Sequence, residues 1–150
     1  MKQFKEQILQ KCKELVDEKL NKLFYALEEL NESAEAESKS TAGDKHETGR
    51  AMIQIEQEKI GKQIQEWENQ KLLLHKIDVC KDTDRISIGT LIETDRELFF
   101  LAINLGKIKL EEHNVMVISV QSPLGSLMTK HHKNDKITFL NSTYLIKALY

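Results

Sequence analysis

The chain has one proline in 150 residues, one tryptophan and two cysteines. Cys12 and Cys80 stand far apart with no CxxC spacing, which argues against a disulfide framework or thiolate metal site and for two reduced thiols. No apolar run approaches membrane-spanning length. Met1-Lys2-Gln3-Phe4-Lys5-Glu6 begins an amphipathic helix and lacks the apolar core of a signal peptide, so a cytoplasmic protein with no membrane partner is expected. Charged residues make up 31% of the sequence, yet the net charge is only -2 and no long basic run appears. A general nucleic-acid binder would show a basic face. The GxSxG, P-loop and HExxH patterns are missing, and no Ser-His-Asp arrangement follows from spacing. Nothing in the sequence makes a self-sufficient active site.

What is present is helical period. From Lys2 to about Leu30, Phe4, Ile8, Cys12, Leu15, Val16, Leu20, Leu23, Leu27 and Leu30 recur at spacings of three and four. Neither proline nor glycine interrupts the run, and a helix of that length would extend roughly 40 Å. Ala51 to about His75 repeats the pattern. Ile53, Ile60, Trp67 and Leu74 fall seven apart with Ile64 between them, while Gln57 and Lys71 are weak positions in the seam. Two such helices fold back most economically as an antiparallel hairpin. A parallel dimer through one helix is the other arrangement.

Between the helices, Asn31 to Thr41 is rich in Ser, Ala and Glu and is expected to slow the chain before a tip at Ala42–Gly49. Asp44 and Glu47 are three apart, which puts both on one side of a first helical turn. They also form a capping-box-like pair that the helix dipole favours, so local helix stabilisation is one reading. Alternatively, as exposed carboxylates on a slender tip they add oxygen ligands to a Mg²⁺ ion whose remaining ligands come from a second macromolecule. His46 and Arg50 read as solvated groups by default; the first could also tune the carboxylates' field or contact a phosphate, the second an RNA phosphate.

From Ile86 the period changes to two. Ile86 to Ile92 alternates, Thr94–Glu97 supplies a turn, and Leu98 to Ile103 reads as the partner strand. Val115 to Val120 is apolar enough for a central strand. Ser122 before Pro123 is an N-cap with proline at the first helical position, so a short helix starts there. Lys136–Leu140 and Thr143–Leu149 form a last hairpin around Asn141-Ser142. His131-His132 with Asp135 has metal-ligand residue types, though adjacent histidines on a polar loop are usually solvated. The expected fold is α+β: an antiparallel coiled-coil hairpin with an acidic tip over 1–78, then a small, mostly antiparallel sheet with one short helix over 79–150.

Gly43-Asp44-Lys45-His46-Glu47 resembles the G-D-x-x-E tip of the Gre transcript-cleavage factors of bacterial RNA polymerase. Ile118 to Gly125, followed by Leu127, Lys130, Asp135 and Ile137, resembles their S-P-L-G segment running into K-x-x-x-D-x-(V/I). The similarity extends over nearly the whole chain, with both motifs in the family's order and spacing. It implies an FKBP-like C-terminal domain docked at the rim of the polymerase secondary channel, with Ser122, Pro123 and Leu124 in the docking segment. The coiled coil would enter the channel, where Asp44 and Glu47 help hold a Mg²⁺ shared with the polymerase active centre. The polymerase would then cleave the backtracked RNA 3′ end, so the factor, expected to be a monomer, stimulates hydrolysis without being an enzyme itself. This chain departs from the family where Glu47 is followed by Thr48-Gly49-Arg50-Ala51 and the expected aromatic residue is missing. It also lacks the usual P-G-G turn in the last strand hairpin. The changed residues after Glu47 motivate a channel-binding regulator that inhibits or modulates initiation without promoting cleavage. Two further alternatives are an FKBP-like isomerase or chaperone with a coiled-coil arm, and a coiled-coil adaptor.

Overall fold

The computed structural model describes residues 1–39, 43–81 and 84–150, with the backbone alone for 43–46. Two long helices come first, α1 (Lys2–Ser38) and α2 (Gly43–His75). Six strands and one short helix follow: β1 (Leu91–Thr94), β2 (Leu98–Ala102), β3 (Gly106–Leu110), β4 (His113–Ser119), α3 (Pro123–Met128), β5 (Lys136–Phe139) and β6 (Ser142–Leu149). This is the α+β arrangement that the change of period implies. The chain divides into two compact units, one of Met1–Lys13 with Leu72–Tyr150 and one of Glu14–Lys71.

The second unit is an antiparallel, coiled-coil-like hairpin, and its side-chain pairs define the register. The Lys71 ammonium lies 2.7 Å from Asp17, Lys19 sits over the Trp67 ring at 5.0 Å, and Gln57 donates to Asn31 at 2.8 Å. Positions advance along α1 as they retreat along α2, and every pair is centred on residue 43 or 44. The heptad seam holds. Ile60 and Ile64 on α2 are buried, as are Val16 and Leu20 on α1, and Trp67 is half-buried. The two polar seam positions, Gln57 and Lys71, both have polar partners on the facing helix.

The first helix runs eight residues beyond the expected end at Leu30. Ala34, Glu35, Ala36 and Glu37 are strong helix formers, so composition does not slow the chain. The stretch Ala42–Gly49, expected as the tip, is helical from Gly43 onward, with Asp44 and Glu47 in the first turn of α2.

The other unit is built on one sheet with the order β3-β4-β2-β1-β6-β5. Neighbours are antiparallel except β2 and β4, which pair in parallel with Phe100 opposite Val117. β4 therefore lies one strand in from an edge rather than at the centre. One face packs Ile92, Phe99, Leu101, Ile137 and Ile146 against Met128, with Leu124 and Leu127 of α3 half-buried beside them. The opposite face, with Leu91, Phe100, Val115 and Val117, is equally buried. The segments of this unit left to cover it carry Ile8, Leu9 and Cys12 from α1, and Leu74, Ile77 and Val79.

Three strand expectations need correction. The alternation from Ile86 does not start a strand until Leu91, because Gly89 takes φ +88° and Thr90 N–H closes a turn onto the Ser87 carbonyl. A Cβ at Gly89 would also lie 2.9 Å from the Ile77 side chain. β3 was not anticipated; it is an edge strand with Lys107 and Lys109 exposed. The last hairpin turns at Leu140-Asn141 rather than Asn141-Ser142, because Phe139 pairs with Ser142. Its first loop residue, Leu140, has φ +52°, as Glu111 has φ +51° at the same place between β3 and β4.

Candidate functional site

The hairpin register puts the Gly43-Asp44-Lys45-His46-Glu47 segment at the turn end of the coiled coil. Within it, Asp44 and Glu47 share the first helical turn of α2. Glu47 is exposed, as is Arg50. The side chains of Asp44 and His46 lie outside the described residues. Opposite this turn, the Glu37 carboxylate of α1 lies against Gly49: a Cβ at Gly49 would stand 2.9 Å from Glu37 Oε1. Sequence reading singled out Glu47 and passed over Glu37, because only the facing-helix register brings residue 37 beside residue 49.

The second motif is explained to a large extent by its own geometry. Ser122 is the N-cap of α3, its Oγ accepting from Gly125 N–H at 3.1 Å and donating to the Ser119 carbonyl at 2.7 Å. Proline fits the first helical position, where its missing N–H has no intrahelical partner to lose. A Cβ at Gly125 would run into the Ser119 carbonyl oxygen, so only glycine lets strand and helix approach this closely. Leu124 is half-buried against the core. Pro123 is the exposed member of the motif and the one whose side chain faces solvent.

His131 and His132 do not converge. His131 Nδ1 lies 2.8 Å from the Leu127 carbonyl at the end of α3, while Asp135 Oδ2 accepts from the His132 backbone N–H at 2.7 Å. Among the described residues, no group of three or more His, Cys, Asp or Glu side chains could hold a metal ion. A half-open pocket of about 660 Å³ opens between Phe4, the β1–β2 turn and His113. Phe4 and His113 meet edge to face there, at 5.3 Å. Two of its carboxylates are engaged: Asp95 Oδ1 accepts from Leu145 N–H at 2.8 Å, and Glu93 accepts from the Tyr150 hydroxyl at 3.0 Å. That bond holds the Tyr150 hydroxyl above its ordinary pKa, the protonated form being the donor.

Both cysteines are free, Cys12 buried and Cys80 exposed. Burial pushes the Cys12 thiol up to about 12 and keeps it neutral and unreactive at ordinary pH. No described helix is long and apolar enough to cross a membrane. No family model matches the chain, and no curated protein matches it.

Proposed function

We propose that this chain is a Gre-like factor of bacterial RNA polymerase that works through the polymerase secondary channel. Its hairpin enters the channel turn-end first, and the FKBP-like domain docks at the rim with Pro123 and Leu124 in the contact. The observation that carries this reading is the register. It centres the hairpin on residues 43 and 44, so the Asp44–Glu47 turn stands at the end of two seam-matched helices and Glu47 faces solvent. Two carboxylates on one helical turn are hard oxygen donors of the kind Mg²⁺ takes, and they are too few to hold it alone. The polymerase supplies the remaining ligands. When bound, such an ion activates water and balances developing phosphate charge. The chain's own part is to carry Asp44 and Glu47 to the backtracked RNA 3′ end and hold them there. It stimulates the polymerase's own hydrolysis.

The test is a backtracked elongation complex with RNA labelled at its 3′ end, incubated with Mg²⁺ and this protein. Short 3′ fragments are expected, and Asp44→Ala or Glu47→Ala should lower their release by at least about tenfold, as loss of a metal-supporting group does. Full activity in both variants would remove the carboxylates from the mechanism. Polymerase binding without fragment release would support a regulator that occupies the channel without cleavage, a reading favoured by Thr48-Gly49-Arg50 after Glu47. A protein that neither binds the polymerase nor releases fragments would overturn the proposal.

A further inference from the structure

α2 carries two interior glycines whose surroundings differ. Gly61 is exposed, and a Cβ there would meet nothing within 4 Å. Gly49 is half-buried, and a Cβ there would stand 2.9 Å from Glu37 Oε1 and 3.2 Å from its carboxyl carbon. Glycine weakens a helix interior relative to alanine at either place. At Gly49 the structure supplies a reason to tolerate that weakness: the space is filled by a carboxylate from the facing helix. Glu37 is itself half-buried, whereas its neighbours Glu35 and Lys39 are exposed. It is the penultimate residue of α1, and Gly49 lies only two residues past Glu47.

We propose that Glu37 is a positioning residue of the hairpin's working end. Seated against Gly49, its carboxylate ties the last turn of α1 to the first turns of α2 and fixes the direction in which Glu47 projects. Two residues of helix rise about 3 Å, so whatever moves the backbone at Gly49 also moves the one that carries Glu47. Gly49 is then a glycine because a methyl group would displace Glu37. This inference rests on the cleavage reading, since the geometry being protected is that of a carboxylate acting on RNA.

The experiment compares Gly61→Ala, Gly49→Ala, Glu37→Ala and the Gly49→Ala/Glu37→Ala double variant with the wild-type protein. Each is assayed for thermal midpoint, polymerase affinity, and maximal fragment release from a backtracked complex at saturating protein. Gly61→Ala should raise the midpoint and cleave as wild type. Gly49→Ala is structurally cheap, because the atoms it meets end a flexible side chain, so its midpoint should hold or rise. Its maximal release should nevertheless fall about tenfold with polymerase affinity unchanged, a split that helix stability alone would not produce. Glu37→Ala should show the same loss, and the double variant no further loss, since both changes break one contact. Wild-type release from Glu37→Ala, or losses that multiply in the double variant, would overturn the role of Glu37 while leaving the cleavage reading intact. No release by the wild-type protein would overturn both.

Discussion

In the sheet unit, Leu91, Ile92, Phe99, Phe100 and Ile146 are each no more than 1% exposed, on strands buried from both faces. In the hairpin, full burial is confined to Val16, Leu20, Ile60 and Ile64 among the described hydrophobic residues. Beyond Leu20 on α1 and before Ile60 on α2, every described residue of the hairpin is half-buried or exposed, and Phe24, Tyr25, Met52 and Ile55 stand in solvent. The difference separates two ways of holding structure. The sheet unit is held by apolar area removed from water, at about 25 cal/mol per Å². Toward its turn the hairpin depends on helix propensity and a few polar contacts, such as Gln57 to Asn31 and Glu37 at Gly49. Such a region opens at low free-energy cost.

Truncating core residues tests this contrast most directly. Phe99→Ala should cost about 3–5 kcal/mol, because the cavity lies in close packing between the sheet and α3. Ile53→Ala, half-buried in the hairpin, should cost about 1 kcal/mol or less by the same accounting of lost area. Urea denaturation of both variants measures the gap, and equal losses would break the comparison. Amide hydrogen exchange sharpens it: hairpin amides near residues 30 and 55 should exchange well before those of β1 and β2.

The same contrast governs what could be read from sequence. The seam was legible because Ile53, Ile60, Trp67 and Leu74 repeat strictly, and even its weak positions, Gln57 and Lys71, were recognisable as polar intrusions. The cap at Ser122 was legible because serine followed by proline has few other uses. The end of α1 was not, since Ala34 and Glu37 continue the seam without a large apolar side chain to mark it. β3 was missed although Lys107-Ile108-Lys109-Leu110 alternates, because so short a run with only two apolar side chains does not stand out by period. The parallel pairing of β2 with β4 is a contact between strands separated by β3, and no local pattern encodes it. At the turn end, Asp44 and Glu47 were visible as a motif. Glu37 was not, because a glutamate on a helix exterior looks the same whether or not the facing helix carries a glycine opposite it.

A smaller effect comes from the two thiols. Cys80 should react with a thiol reagent in the native protein, and Cys12 only after denaturation, so native and unfolded titrations should count one and two thiols. The pH dependence has a definite sign. Cys12 has a folded pKa of about 12 against an ordinary value of 9.0. Below pH 9 the thiol is neutral in both states and contributes no slope. As pH rises from 9 toward 12, the unfolded chain loses the proton first and stability falls, by about 1 kcal/mol at pH 10. Denaturant midpoints at pH 8 and 10, with Cys12→Ala as the control that removes this slope, measure it. Tyr150, also held above its ordinary pKa, leaves a smaller remainder, and a slope undiminished in Cys12→Ala would place the titrating group elsewhere.

The smallest effect belongs to the ion pair between Lys71 and Asp17. Lys71 and Asp17 meet at 2.7 Å, but their side chains are 41% and 50% exposed. Water screens the attraction, and ordering two flexible side chains offsets much of the remainder. Asp17→Asn should therefore change stability by about 0.5 kcal/mol or less, and by nothing measurable in 1 M salt, where the screening length is about 3 Å. Lys71→Leu tests the same position in the opposite sense. Residue 71 continues the seam that Ile60, Ile64 and Trp67 define, so a leucine there has apolar neighbours to cover. That substitution should raise the melting temperature despite removing the ion pair. A larger loss from Asp17→Asn than from Ile53→Ala would mean that charge, not the seam, aligns the two helices.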